Sequence, residues 1–564
     1  MTKTNFLASR FAAIAMALIS LFLGACATNV KEQYSNYQPH KPLEETHFIV
    51  NIPSFDGTNI RATVYQPELA RGKTAPLVIH SHGFGVWRMT RPVSLYGSLI
   101  MSGKAAKAAW KSGYWVISFD QRGFGRSGGD IHLMDPEHEV KDARAVLDWA
   151  VANLPQITMD DVAKNDPRVA YTGESYSGGM SLLASIHDER VDAIVPFTTW
   201  HNLADSIAPN EHVKMAWGAV LIGTASTFSF FDAGMFIEKP FRATSFSGKL
   251  HPEVKKLMHS RSISGYCEQG IAPTADTLLI QGFRDTVFPV NEAILNKKCI
   301  EAHGQGADVR LIGVQGGHLL PTQKLTGMMF YNMEMNFECD GREMNMLNTV
   351  VAWYDEKLKD IPGAADQIPN NCLTLNYDKG VVLPEIPEGG TTFEIENEEV
   401  LSGMAGMVEI IMRPMDLLWG LAMPSREANM KDLSRKKGGT MRPSFIPLSI
   451  IEKDSFIAGV PKISLKVNGK SDKGVAFVGI GIRKPNHRFI KLLSEQLTPL
   501  PAKFHYDMNL PAIAAELEED DIIGLVVYGR TGQYMFNSPL IPKTVELTGK
   551  VSLPIDPPSR VAIY

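Results

Sequence analysis

The chain is poor in cysteine, with five in 564 residues, and it contains neither a HExxH helix nor a Walker-type phosphate loop. No Cys/His spacing fits a zinc site, so the sequence gives no support to a metal or nucleotide mechanism, and no cofactor is expected. A long basic block is also missing. Lys and Arg number 56 against 61 Asp and Glu, a net charge of −5, so a phosphate backbone would find little to neutralise it and nucleic acid is not an expected partner. Hydrophobic residues at 44% and charged residues at 21% exclude wholesale disorder and a polytopic membrane protein. What is present is length: 564 residues call for two or more domains.

Lys3 and Arg10 precede an apolar stretch over 11–24, long enough for an export signal and short for a bilayer span. It ends in Leu23-Gly24-Ala25-Cys26, which resembles the lipobox of bacterial lipoproteins. Residues 1–25 are therefore expected to be a signal peptide, Cys26 a lipidated N-terminus and 26–45 a polar tether. The expected location is the bacterial cell envelope, with Ala27 resembling the sorting signal for the outer membrane of a Gram-negative cell. Cys267, Cys299, Cys339 and Cys372 remain. An even count in an exported chain permits two disulfides in three pairings, with neighbour pairing preferred here; four buried free thiols are the alternative, because a domain this large needs no staples.

Short apolar segments at 77–81 and 115–119, with helix-like stretches at 99–111 and 136–154, give the strand, helix, strand alternation of a parallel α/β sheet covered on both faces. Two further buried strands, 193–197 and 277–280, are separated by about eighty residues, too long for a simple crossover. This places a helical cap at about 201–273. A hydrolase-type domain is expected over 46–365, a turn-rich boundary at 362–370, and a β-sandwich over 370–564, where 463–467 and 544–553 alternate apolar and polar. The apolar stretch 404–423 carries Glu409, Arg413, Pro414 and Asp416, which disfavours a membrane span and suggests a buried or interfacial helical pair.

The string Gly173-Glu174-Ser175-Tyr176-Ser177-Gly178-Gly179 falls between a short strand and an apolar helix, where a tight turn would project the Ser175 hydroxyl. Its G-x-S-x-x-G spacing departs from the common G-x-S-x-G. A serine needs an imidazole to take its proton and an acid to orient that imidazole. Downstream, one strand runs into Gln281-Gly282-Phe283-Arg284-Asp285 and the next into Gln315-Gly316-Gly317-His318, in the order required and with room for one helix between them. Ser175, Asp285 and His318 are thus the expected catalytic residues. The loop His82-Gly83-Phe84-Gly85 can offer a backbone N–H at Phe84 to the oxyanion, with Tyr176 N–H as the second donor and His82 in a structural role. The Asp120 to Gly128 turn, with Arg122, reads as scaffold.

Gly-x-Ser-Tyr-x-Gly, the opening Phe55-Asp56-Gly57 followed by 62–67, the long cap and a terminal sandwich beginning near 456–461 together resemble the cocaine esterase and Xaa-Pro dipeptidyl-peptidase superfamily. The resemblance implies an α/β-hydrolase fold with a jelly-roll-like C-terminal domain, and a serine hydrolase of carboxylic esters or amides working through an acyl-enzyme. Many relatives carry a first-loop tyrosine whose hydroxyl joins the oxyanion hole; Phe84 or Trp87 occupies that region here, which implies backbone donors alone. A catalytically silent surface binder, a Xaa-Pro peptidase and a haloperoxidase-like or acyl-transferring relative are the competing readings. Trp87, Trp200 and Trp217, with Phe228, Phe230, Phe231 and Phe236, are expected to line an apolar substrate pocket. Such a lining favours small or medium acyl esters over Xaa-Pro peptides, whose ammonium would need acids such as Asp205, Asp232 or Glu238.

Overall fold

The computed structural model describes residues 41–228, 239–318, 333–339, 341–402, 443–469, 474–485, 490–534 and 543–556. The signal peptide, Cys26, most of the tether, the 404–423 stretch, and Phe230, Phe231, Asp232, Phe236 and Glu238 of the cap lie outside the described residues.

Ten strands form one sheet: β1 (Thr46–Pro53), β2 (Asn59–Gln66), β3 (Leu77–His80), β4 (Trp115–Phe119), β5 (Val169–Glu174), β6 (Ala193–Phe197), β7 (Asp276–Gly282), β8 (Val309–Val314), β9 (Asn371–Thr374) and β10 (Gly380–Val382). Their order is β1-β2-β4-β3-β5-β6-β7-β8-β9-β10. From β4 to β9 every neighbouring pair is parallel, while β1, β2 and β10 join antiparallel at the edges. Strands β3, β4 and β6 bury every residue, as their mostly apolar sequences require of a sheet covered on both sides. Edge strand β1 instead alternates, with Phe48, Val50 and Ile52 turned inward.

The chain leaves β3 for β4 on one side and returns to β5 on the other, so the order in which strands are added reverses between β3 and β5. A crevice opens beyond the carboxyl ends of such a pair, and ligands bind there in open α/β sheets. Gly83 follows β3 and Ser175 follows β5 at this point. Helices Leu203–Ile207, Met215–Phe228, Lys239–Ser247, Pro252–His259 and Ile263–Cys267 lie between β6 and β7, over the span expected for the cap.

The boundary expected at 365–370 falls inside the sheet, because β9 and β10 are its last two strands. The 362–370 turns join the helix Met346–Lys359 to β9, and turn residues punctuate a connection within a domain as readily as a linker between domains. Beyond Val382 the strands belong to antiparallel sheets. One contains Thr391–Ser402, Lys543–Leu553, Lys462–Gly469 and Phe504–Asn509; another contains Ser444–Ile450, Ile522–Tyr528 and Val475–Arg483. Val400, Leu465 and Leu547 of the first and Ile480 and Leu525 of the second share one core, the signature of a sandwich. Phe456, Ala458, Val460, Ala512 and Ala514 of this region pack into the core of the hydrolase domain. Disulfides join Cys267 to Cys299 and Cys339 to Cys372, so the neighbour pairing is the one formed.

Candidate active site

Ser175 sits between β5 and the helix Tyr176–His187 with φ 59° and ψ −113°, a backbone state that L residues avoid. The turn is held from both sides: Ser175 N–H donates to Phe197 O at 2.9 Å, and its carbonyl accepts from Thr199 Oγ1 at 2.9 Å. Glycine is required around it. A β-carbon on Gly173 would lie 1.9 Å from Ser177 Oγ, and one on Gly178 would lie 2.7 Å from Thr199 Cβ. The unusual spacing of the string therefore still builds a serine elbow, with Ser177 packed against Gly173 and Gly178 giving the helix its close approach to β6.

Asp285 is fully buried in the turn after β7, where its Oδ1 accepts from Val287 N and Phe288 N at 2.9 and 3.0 Å. Its Oδ2 lies 2.5 Å from His318 Nδ1. This bond assigns the proton to Nδ1 and leaves Nε2 as the basic nitrogen. Nε2 is buried and has no hydrogen-bond partner among the described residues, including Ser175 Oγ; such contacts commonly tighten only when substrate is bound. Trp217 and Phe288 present their rings to the imidazole at 5.6 and 5.4 Å. Burial by itself lowers the proton affinity of His318, but the Asp285 carboxylate and then Glu174 outweigh it, and the net shift is upward.

On the opposite rim, Gly83 lies beside Ser175: a β-carbon there would be 3.7 Å from Ser175 Cβ and 3.6 Å from Glu174 O. His82 holds this loop. Its Nδ1 bonds Gly83 O at 2.8 Å while Nε2 accepts from Gln121 N at 3.0 Å, the pattern of a neutral ring, and burial keeps it neutral by lowering its proton affinity. Tyr176 opens its helix, so its N–H has no intrahelical acceptor and is available to an oxyanion. Its hydroxyl is anchored, accepting from Met134 N at 2.8 Å and donating to Glu139 Oε1 at 3.1 Å. The Phe84 ring stands edge-on to that of Tyr176 at 5.3 Å.

The three tryptophans expected in the pocket part company. Trp217 reaches the site, its Nε1 donating to Thr286 Oγ1 at 2.9 Å beside Asp285. Trp200 instead fills the core: it is 2% exposed, donates to Arg261 O, and occupies the space that Gly179 leaves by lacking a side chain. A tryptophan after a buried strand reads the same whether it lines a cavity or packs under a helix, and only the glycine opposite decides. Trp87 is half-buried on the loop after β3. Asp120 and Arg122 are scaffold. Asp120 accepts from Arg88 N and Arg126 N, and Arg122 forks onto Asp142 with both bonds at 2.7 Å.

Three participants escaped sequence reasoning. Lys214 Nζ donates to Val287 O at 3.0 Å inside the turn that carries Asp285, and burial brings its ammonium down to about 8. Tyr96 accepts from Gly83 N with its hydroxyl at 3.0 Å. Glu174 is buried next to Ser175. Only Glu174 left a signal, a charged residue closing a short strand that otherwise carries no charge.

Residues 56–232 match the X-Pro dipeptidyl-peptidase (S15) family. A curated Escherichia coli protein described as an uncharacterized 31.7 kDa protein in the traX-finO intergenic region is 31% identical over 121 residues, 21% of this chain and 36% of that protein. The match thus spans about a third of its length. Among solved structures, an aminopeptidase from a marine sediment archaeon, Thaumarchaeota archaeon, superposes with TM-score 0.63 at 14% identity, covering 91% of this chain and 97% of that one. An α-amino acid ester hydrolase gives 0.58 at 12% identity over 92% and 97%, and a CocE/NonD family hydrolase from Staphylococcus aureus gives 0.59 at 10% identity over 95% and 99%. These structures share the fold along nearly the whole of each chain, the C-terminal β domain included.

Proposed function

We propose that this chain, a member of the cocaine esterase and X-Pro dipeptidyl-peptidase superfamily, is a serine hydrolase that cleaves carboxylic esters or amides through an acyl-enzyme on Ser175. The observation that carries the reading is the 2.5 Å bond from His318 Nδ1 to Asp285 Oδ2, with Nε2 left basic on the side away from that bond.

In the proposed cycle Ser175 Oγ attacks the carbonyl carbon and its proton passes to His318 Nε2. The oxyanion that forms is met by Tyr176 N–H and by the backbone N–H of Phe84 in the loop after β3. Collapse breaks the bond to the leaving group, which takes the proton from Nε2 and departs as alcohol or amine. Water then attacks the acyl carbonyl, gives its proton to Nε2, and the acid leaves as the proton returns to Ser175 Oγ. Asp285 stays ionised throughout and stabilises the imidazolium.

For substrate, the proposal is a small or medium acyl ester in preference to an Xaa-Pro peptide. Trp217 and Phe288 beside His318 favour an apolar group by burial. Among the described residues, three carboxylates that could meet an ammonium are committed to protein groups: Asp285 to His318, Glu292 to His201 N and Asn202 N, and Asp205 to Asn202 Nδ2. The lipid-anchored envelope location is likewise a proposal, supported by the lipobox-like Leu23-Gly24-Ala25-Cys26.

Labelling with a fluorophosphonate, mapped to its residue, tests the reading. Ser175 is expected to carry the label in the parent and Ser175→Ala to take none; undiminished labelling of that variant would overturn it.

A further inference from the structure

Glu174 ends β5, one residue before the nucleophile, and its side chain is almost completely buried. One carboxylate oxygen accepts from Ser102 N, in the first turn of the helix Met101–Lys111, while Oε2 has no hydrogen-bond partner among the described residues. A buried carboxylate with an unanswered oxygen is expensive, and a glutamine or an apolar side chain would fill the place at lower cost. The charges that face it are His318, Asp285 and Lys104, with the Tyr96 hydroxyl adjacent. That hydroxyl accepts from Gly83 N and lies 3.5 Å from Ser102 Oγ. Glu174 thus stands where the helix N-terminus, the loop after β3 and the imidazole converge.

We propose that Glu174 is a positioning residue that acts on His318 through space, a second carboxylate that favours charge on the imidazole and so raises its strength as the base for Ser175. The inference rests on the triad reading above. Burial raises the Glu174 carboxyl to about 7, and the nearby His318 charge favours its ionised form. Glu174 is therefore most completely ionised when the imidazole is charged, as it is in the tetrahedral intermediate. Asp285 fixes the tautomer and orientation of the ring; Glu174, with no bond to it, contributes field alone. Lys214, the other charge facing His318, acts in the opposite direction.

The test is the second-order rate of fluorophosphonate inactivation against pH, with the labelled residue mapped. In the parent the rate should fall on the acid side as His318 gains its proton. Glu174→Gln keeps an acceptor for Ser102 N and removes the charge; its acid limb should move to lower pH by on the order of half a unit, with the plateau rate down roughly three- to tenfold. Glu174→Asp should keep the limb near that of the parent. A folded Glu174→Gln protein whose limb coincides with the parent's overturns the proposal. Should that variant fail to fold, Lys104→Met decides: losing the lysine makes Glu174 protonate more readily, so the limb should again move down, and an unmoved limb overturns the proposal. A parent labelled at Ser175 with unmoved variants removes Glu174 alone, whereas a parent labelled elsewhere removes the triad reading and this inference together.

Discussion

Gly282 and Gly316 are in backbone contact: a β-carbon on Gly282 would lie 2.2 Å from Gly316 O. Next along each strand end, a β-carbon on Gly317 would lie 2.6 Å from Asp285 N. These contacts bring the turns after β7 and β8 close enough for His318 to meet Asp285. Gly282→Ala should separate them and lower kcat/KM by about 10²-fold through misplacement alone. Steady-state kinetics beside far-UV circular dichroism checks it; a well-folded variant with parental kcat/KM would show that the contact is dispensable.

The triad should behave as one unit. Ser175→Ala and His318→Ala are each expected to lower kcat by about 10⁴-fold or more, and the double variant by scarcely more than either alone. Multiplicative losses would mean that the two act separately.

The pH dependence follows from the direction of the His318 shift. His318 must be neutral to accept the Ser175 proton, and its proton affinity is raised above that of a free histidine. Activity should therefore rise with pH through a midpoint above the ordinary value near 6.5, and Asp285→Asn should lower both that midpoint and turnover. A kcat/KM profile whose midpoint lies below 6.5 in the parent would contradict the assignment.

Glu292 accepts from His201 N and Asn202 N at the start of the cap, and burial raises its carboxyl to about 7. An acid whose folded value is raised contributes its full stability below the unfolded value near 4.5, and loses it as pH climbs through the folded one. Glu292→Gln should consequently gain stability relative to the parent between pH 5.5 and 8, by about 2 kcal/mol. Urea unfolding at the two pH values measures the difference; a gap between the proteins that does not change with pH would refute it.

A nitrophenyl ester should show a higher kcat/KM than a Gly-Pro anilide. The reverse order would make the peptidase reading the right one and would direct attention to carboxylates among residues 229–238.

The order of the proposed triad was legible along the chain because each of its residues sits in a local signal. Ser175, Asp285 and His318 all follow short apolar strands, with glycines beside them. The pairing of Cys267 with Cys299 was the preferred one of three, and the structure forms it where the helix Ile263–Cys267 meets Val290–His303. What could not be read depends on partners distant in sequence. Burial of Glu174 is imposed by a helix some seventy residues earlier, Trp200 is core because of Gly179, and the turns at 362–370 look like a linker until β9 is seen to pair with β8.

Asn291 heads the helix after Asp285, and its amide is used in both directions, donating to Leu510 O at 3.0 Å and accepting from Ala512 N at 2.6 Å. A single side chain thus stitches the sandwich to the element next to the Asp285 turn, over an apolar seam that includes Phe456 and Ala514. Cutting the chain near residue 385 would strand both halves of that stitch and expose the seam to water. The catalytic half is therefore expected to lack autonomy: melting of the sandwich should be felt at Asp285, and the two domains should come apart in one cooperative transition.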